Sequence, residues 1–501
     1  MNQDQDKNYW QAKATRFNPC FDPIIDGRKQ RASGSQVVDK INPANGVFIY
    51  SLPEGGKADV DQAVAAARKS LADGRWRGMA PLLRKSVLLR LADLVEQNQE
   101  ELALMDCLEM GKPISDALGD VMIAAGFFRF YAECIDKAES SVVPSEVGAL
   151  TFNLLEPVGV VGAIVPWNYP VINAALKAAP ILAAGNSLVL KPSEIATLSA
   201  VRLAELALEA GMPDGVFNVV PGLGATVGAA IAGHDDVDMV TFTGATLTGR
   251  KIMAAAAQSN GKRIALECGG KSPQLVLHDV GDIIEEVAAV AVQEAFANQG
   301  QLCVARTRLI VAEQIKDDLL EAMVRQIKLL VPRNPLDPET RFGAIASRPQ
   351  WTKIKSYIEC ALSEGAESIG GGIDIPDGAG CFVPPVILEG LPVSSRVVRE
   401  EIFGPVLTVH SFRELDCAVR LANDSTYGLA ATAWCRDAGI SQELARRLDA
   451  GKITLRSSAR ASMKAGFSLA AEPFKESGFG IEMGMAGMRG YSRLKAIEMI
   501  A

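Results

Sequence analysis

Histidine is scarce: the chain carries three in 501 residues, His234, His278 and His410. None lies in a catalytic-looking motif, which argues against a His-based triad and a His-rich metal site. The nine cysteines, at 20, 107, 134, 268, 303, 360, 381, 417 and 435, include no C-x-x-C pair, and their number is odd. A disulfide framework or a zinc site is therefore not expected, and the thiols are read as reduced. No apolar run reaches the roughly 18 residues of a membrane span, and the opening MNQDQDKNYW has no apolar signal core. A cytoplasmic protein without a membrane partner is the expectation. A basic stripe is absent too, at net charge −8 and pI about 5.3, so nucleic acid is not an expected partner.

What is present is a long, ordinary globular composition, 48% hydrophobic and 22% charged. Abundant Gly with only 6% aromatics suits an α/β protein with tight helix–sheet packing. Residues 36–52 read as extended segments around a Pro43–Gly46 turn, and helical spacing then runs from Asp59 to Asp73 and over residues 80–138, with a break at Gly111-Lys112-Pro113. From Glu156 the texture changes to short β-branched runs, PVGVVGAIVPW, SLVLKPSE, FNVVPG and DMVTFTG, with helical stretches between them. Alternating strand and helix predicts a parallel, Rossmann-like sheet. A second series follows residue 265, with strands at SPQLVLH, TRLIVAE, FVPPVIL and PVLTVHSF and helices over 282–297, 314–331 and 350–364. The terminal YSRLKAIEMI reads as a strand with no partner nearby in sequence.

Five segments carry candidate chemistry. FANQGQLCVARTR sets Cys303 after a Gly-Gln turn, where a thiol can be exposed and activated, although composition alone makes it one buried thiol among nine. IALECGGKSP ends a strand at Glu267, a position suited to a general base and equally to a surface carboxylate. PWNYP fixes Asn168 between two prolines, where its amide serves as an oxyanion donor or a helix N-cap. LKPSE offers Lys191 and Glu194 for ribose hydroxyls or phosphate, or as a solvated ion pair. FTGATLTGR opens a helix with Gly244 and Gly249, whose backbone amides suit a pyrophosphate. A P-loop is rejected there, because Arg250 and Lys251 stand where Lys and Ser or Thr are required.

Together and in this order, these segments resemble the aldehyde dehydrogenase superfamily. INPANG, LEMGKP, GMPDGVFNVVPG, EEIFGPV and ANDSTYGLAATAW add to the likeness, which extends from Tyr9-Trp10 to the C-terminus. The resemblance implies Cys303 as nucleophile, Glu267 as general base, and Asn168 with the Cys303 N–H as oxyanion hole. It implies NAD, with NADP as the alternative, held by Lys191, Glu194, Gly244, Gly249, Glu401 and Phe403 in a cleft lined by Val165 and Trp167. A carboxylate at Glu194 favours NAD, because it repels a 2′-phosphate. The implied substrate is a small-molecule aldehyde, in a tunnel lined by Tyr169, Ile172, Leu176, Ala297, Leu302 and Val304. The architecture implied is an NAD(P)-binding domain (1–133 and 155–266), a catalytic domain (267–470) and a β oligomerisation arm (134–154 and 485–501), assembled as a homodimer or homotetramer.

Three departures from the family pattern stand out. Ala245 replaces a usual Ser, and Cys268 a usual Leu or Ala. The tail reads GKITLRSSARASMKAGFSLAAEPFKESGFGIE, with Arg456 in the place of Asn and Ala-Ala-Glu-Pro in the place of P-F-G-G. Arg456 and Arg460 suggest a carboxylate clamp for a semialdehyde or other acidic aldehyde; a structural or solvated role for each is the alternative. NYWQAKA and YAECIDKAES are similar to the group that oxidises γ-glutamylaminobutyraldehyde and related amino aldehydes.

Overall fold

A computed structural model describes residues 7–19, 21–370, 373–459 and 466–500. Two open sheets organise it. The centre of the first is parallel, in the order Phe217–Val219, Ser187–Lys191, Val160–Ile164, Met239–Thr243, Arg263–Glu267. VVGAI and SLVLK are buried along their whole length, as strands covered on both faces by helices must be. Val160–Ile164 lies between a strand that follows it at once and one that arrives later, so the chain order reverses beside it. The crevice above such a reversal is where open α/β sheets bind ligands.

The edges of this sheet differ from the purely parallel expectation. Ile24–Ile25 pairs antiparallel with the Phe217–Val219 strand, and Gly478–Phe479 pairs antiparallel with Leu266 and Glu267. Both additions are two residues long and come from distant sequence, so no local periodicity announces them.

The second sheet runs Glu367–Ile369, Val386–Glu389, Val406–Phe412, Arg308–Ala312, Pro273–Val276, Ala430–Trp434, Lys452–Arg456. All pairs are parallel except the first. The expected strand FVPPVIL begins only at Val386, since Pro384 and Pro385 have no N–H to give a ladder. The terminal strand Ser492–Ile500 finds its partner in Ala149–Pro157, antiparallel over nine residues, with Ser141–Val143 on the other side. Leu494, Ile500 and Val142 of this small sheet are exposed. Among the described residues, no helix is long and apolar enough to cross a membrane.

Candidate active site

The two sheets meet around a cavity of about 620 Å³. Its walls include Trp167, Asn168, Tyr169, Gly244, Glu267, Cys303, Glu401 and Phe403, drawn from stretches far apart in sequence. The turn that delivers Cys303 is unusual. Asn298, Gln299 and Gly300 follow one another at φ 51°, 58° and 69°, and a Cβ on Gly300 would stand 2.2 Å from the Gly404 carbonyl oxygen. Only glycine fits that third position. Buried amides tie the turn down: Asn298 Nδ2 donates to the Asn168 carbonyl at 2.8 Å, and the Ala346 N–H donates to Gln301 Oε1 at 2.9 Å.

Burial pushes the Cys303 thiol up to about 12, helped by the carboxylates of Glu401, Glu267 and Glu482 and opposed by the Val304 N–H. The resting group is therefore a thiol, and attack requires a proton acceptor. Asn168 Nδ2 donates to the Gln301 carbonyl at 3.0 Å and its Oδ1 accepts from Asn173 at 3.3 Å. One N–H of that amide is thus left over. The backbone N–H of Cys303 also has no partner among the described residues. Two uncommitted donors beside a nucleophile are what a developing oxyanion needs.

Glu267 ends its strand at the cavity, and its own carbonyl accepts from the Gly244 N–H at 2.9 Å. Burial raises its carboxyl well above the usual range, Glu482 raises it further, and Lys177 opposes both. Lys177 donates to Glu482 at 2.5 Å and is 2% exposed. Sequence reasoning missed this pair. The signal for Lys177 was available: it is the sole charge in the fourteen-residue helix Pro170–Ala183, whose Ile172, Asn173 and Leu176 face the cavity. A lone cation on an otherwise apolar helix demands an internal partner.

A dinucleotide has its footings here. The hydroxyl of Thr243 is buried with no partner among the described residues, directly before Gly244 and the helix Thr246–Gln258. A Cβ on Gly244 would strike the Phe242 ring at 2.5 Å, and one on Gly249 would stand 2.9 Å from Cys268 Sγ. Val165, Lys191, Glu194 and Gly249 flank the cavity and are not part of its wall. The Val165 N–H donates to the Lys191 carbonyl at 3.0 Å, and Lys191 reaches Glu194 at 3.1 Å. Burial opposes the Glu194 charge, but Lys191 holds the carboxyl below its usual range. Opposite them, Glu401 accepts from the Gly270 N–H at 2.9 Å. Phe403, at φ 60°, stands edge-on to Trp167 at 5.3 Å.

Tyr169, Ile172, Leu176, Leu302 and Val304 line the cavity as the sequence predicts, whereas Ala297 stands back from it. Of the two arginines proposed as a clamp, Arg456 is not in the cavity wall. Arg460 lies outside the described residues. Arg456 is buried away from the cavity, bonded to Glu294 at 3.0 Å and lying over the Trp434 ring. A guanidinium paired in the core in this way serves packing, the structural role that the sequence left open for Arg456. Glu472, Glu482 and Lys452 take places in the cavity wall that the sequence did not foretell.

Comparison with known proteins agrees with this geometry. The sequence profile of the Aldehyde dehydrogenase family matches residues 30–497. The chain is 43% identical over 459 residues to an aminoacetaldehyde dehydrogenase of Pseudomonas aeruginosa, covering 91% of each. It is 39% identical over 490 residues to the NADP/NAD-dependent aldehyde dehydrogenase PuuC of Escherichia coli, covering 98% of this chain and 97% of that one. Among solved structures, the indole-3-acetaldehyde dehydrogenase AldA of P. syringae, in complex with NAD+ and IAA, superposes with a TM-score of 0.95 at 39% identity. That alignment covers 99% of this chain and 100% of the other.

Proposed function

This chain belongs to the aldehyde dehydrogenase family, and from that membership we propose that it oxidises an amino aldehyde to the carboxylic acid, using NAD+ in preference to NADP+. The observation that carries the reaction is the meeting of Cys303, two uncommitted N–H donors and Glu267 in one cavity. Cys303 Sγ gives up its proton to solvent and adds to the aldehyde carbon, forming the anion of a thiohemiacetal. The Cys303 N–H and the Asn168 amide hold the new oxyanion, a contribution worth about 10²–10³ in rate. The nicotinamide, when bound, supplies the hydride acceptor that leaves a thioester on Cys303. Glu267 then takes a proton from water, and hydroxide cleaves the thioester to release the acid. Base catalysis of this kind contributes about 10²–10⁴. A base so placed argues against transfer of the acyl group to coenzyme A.

Residues that would hold the cofactor are the Gly244 turn and Thr243 for phosphate, Glu194 and Lys191 for the adenosine ribose, and Glu401 and Phe403 for the nicotinamide end. An ionised Glu194 repels a 2′-phosphate, which supports NAD+. The amino-aldehyde reading rests on Glu472 and Glu482 in the cavity wall. Relatives named for aminoacetaldehyde and for γ-glutamyl-γ-aminobutyraldehyde support it. We also place the exposed sheet built on Ser492–Ile500 at a contact between copies, in a dimer or tetramer.

The test is formation of reduced nicotinamide from matched aminated and neutral aldehydes with each cofactor, with Cys303→Ala as control. Turnover that prefers the aminated member and NAD+, and that vanishes in the variant, is the expected result. Equal turnover of both aldehydes would remove the amino-aldehyde reading and leave the reaction standing.

A further inference from the structure

Behind the cavity lies a row of charge that the reaction above does not use. Lys452, Thr454 and Arg456 alternate along one strand, Lys452–Arg456, and so share a face. Lys452 is at the cavity end and Arg456 at the core end. Arg306 stands beside them, 3% exposed, and its Nε donates to Thr432 on the neighbouring strand at 3.1 Å. One carboxylate, Glu294, faces this row. It is taken by Arg456 at 3.0 Å and by the Thr432 hydroxyl at 2.8 Å, and Arg306 Nε is 3.8 Å from it.

Two donors are left without an acceptor. Arg306 Nη2 is buried and makes no hydrogen bond among the described residues. The Lys452 ammonium has no hydrogen-bond or ion-pair partner among the described residues, although it is half-buried in the cavity wall. Burial, and the positive Arg306 beside it, push Lys452 below the usual lysine range, with Glu294 opposing. Arg306 also lies within electrostatic reach of the Cys303 sulfur. Residues 460–465, RASMKA, hold no carboxylate that could answer these charges. Buried like charges left facing each other are costly, and an anion is what relieves them.

We infer that Lys452, backed by Arg306, is a carboxylate-binding subsite of the catalytic cavity, so that the aldehyde accepted bears an anionic end. This rests on the aldehyde-oxidising reading above and narrows it. Gly451, next to Lys452, packs so closely on the Glu472 backbone that a Cβ there would lie 1.8 Å from the Glu472 carbonyl oxygen. A cation and an acid of the wall thus spring from touching backbones. Lys452 reads the carboxylate and Glu472 the ammonium of one dipolar tail, such as an amino-acid head on a chain ending in an aldehyde.

The test compares aldehydes of one length ending in a carboxylate, a carboxamide or a dipolar amino-acid group. The wild-type protein prefers the carboxylate and dipolar members to the carboxamide. Lys452→Met lowers that ratio of kcat/KM at least tenfold, through KM, and Lys452→Arg retains it. A ratio unchanged in Lys452→Met, or a wild-type preference for the carboxamide, overturns the subsite. Titration calorimetry of Cys303→Ala protein with a dicarboxylate against a monocarboxylate of equal length needs no turnover. It separates failure of this subsite from failure of the reaction. Tighter binding of the dicarboxylate that Lys452→Met abolishes supports the subsite, and equal binding of both acids overturns it.

Discussion

At the scale of single residues, the site is a balance of charges around a thiol. Only ionised Glu267 can accept a proton from water, and its carboxyl is raised by burial and by Glu482 and lowered by Lys177. Hydrolysis should therefore rise with pH and level off above the raised value. Glu482→Gln removes a repelling charge and should move that limb to lower pH. Lys177→Met removes an attracting one and should move it to higher pH. Steady-state pH profiles of the two variants check this, and shifts of the same sign would contradict it. Gly270 offers a second case. A Cβ there would lie 2.4 Å from the Cys303 carbonyl oxygen, so Gly270→Ala must displace the nucleophile. A displacement near 1 Å costs about 100-fold in rate, and kcat measured on folded protein is the readout. Cys303, Glu267 and Asn168 were legible through the family resemblance of their motifs; alone, each motif left open a buried thiol, a surface carboxylate or a helix N-cap. Lys177 was half legible, as a lone charge on an apolar helix. Glu472 and Lys452 were not, because their place in the wall depends on a loop and a strand end that only the tertiary fold brings to the cavity.

At the scale of elements, Arg456 shows why a loop charge misleads. Its partner Glu294 is 162 residues away, on the helix Ile284–Phe296, and nothing in the sequence ties the two. The pair bolts that helix to the strand Lys452–Arg456, just behind the turn that carries Cys303. Removing one member of a buried pair costs about 3–5 kcal/mol, whereas replacing both by apolar groups is often neutral. Arg456→Met should lower stability by that order, and Arg456→Met with Glu294→Leu should cost less than the two single losses added, since Arg306 alone is then left without its carboxylate. Denaturant melts of the single and double variants give the comparison, and additive losses would mean the pair is not coupled. The alternating strands and helices of both sheets were legible from hydrophobic period alone. The sheet edges were not, since a two-residue strand has no period to read.

At the scale of the whole molecule, the outlying sheet is where the proposed contact between copies can be tested. Leu494 and Ile500, 66% and 83% exposed, are six residues apart on one strand and so share a face of it, which suits the proposed contact between copies. Leu494→Lys with Ile500→Lys should shift the mass seen by light scattering toward the monomer. An unchanged mass would place the contact elsewhere. The pairing of Ser492–Ile500 with Ala149–Pro157 was half visible in the sequence, as a strand in search of a partner. Its neighbour upstream, Gly478–Phe479, closes the strand that ends in Glu267, and Glu472 and Glu482 flank it. The acids that raise Glu267 thus come from a stretch of chain far downstream of it. A nascent chain can display Cys303 long before Glu267 has its setting. A chain truncated before Glu472 would keep the thiol and lose the acids that set Glu267, so one cut would separate the two halves of the proposed reaction.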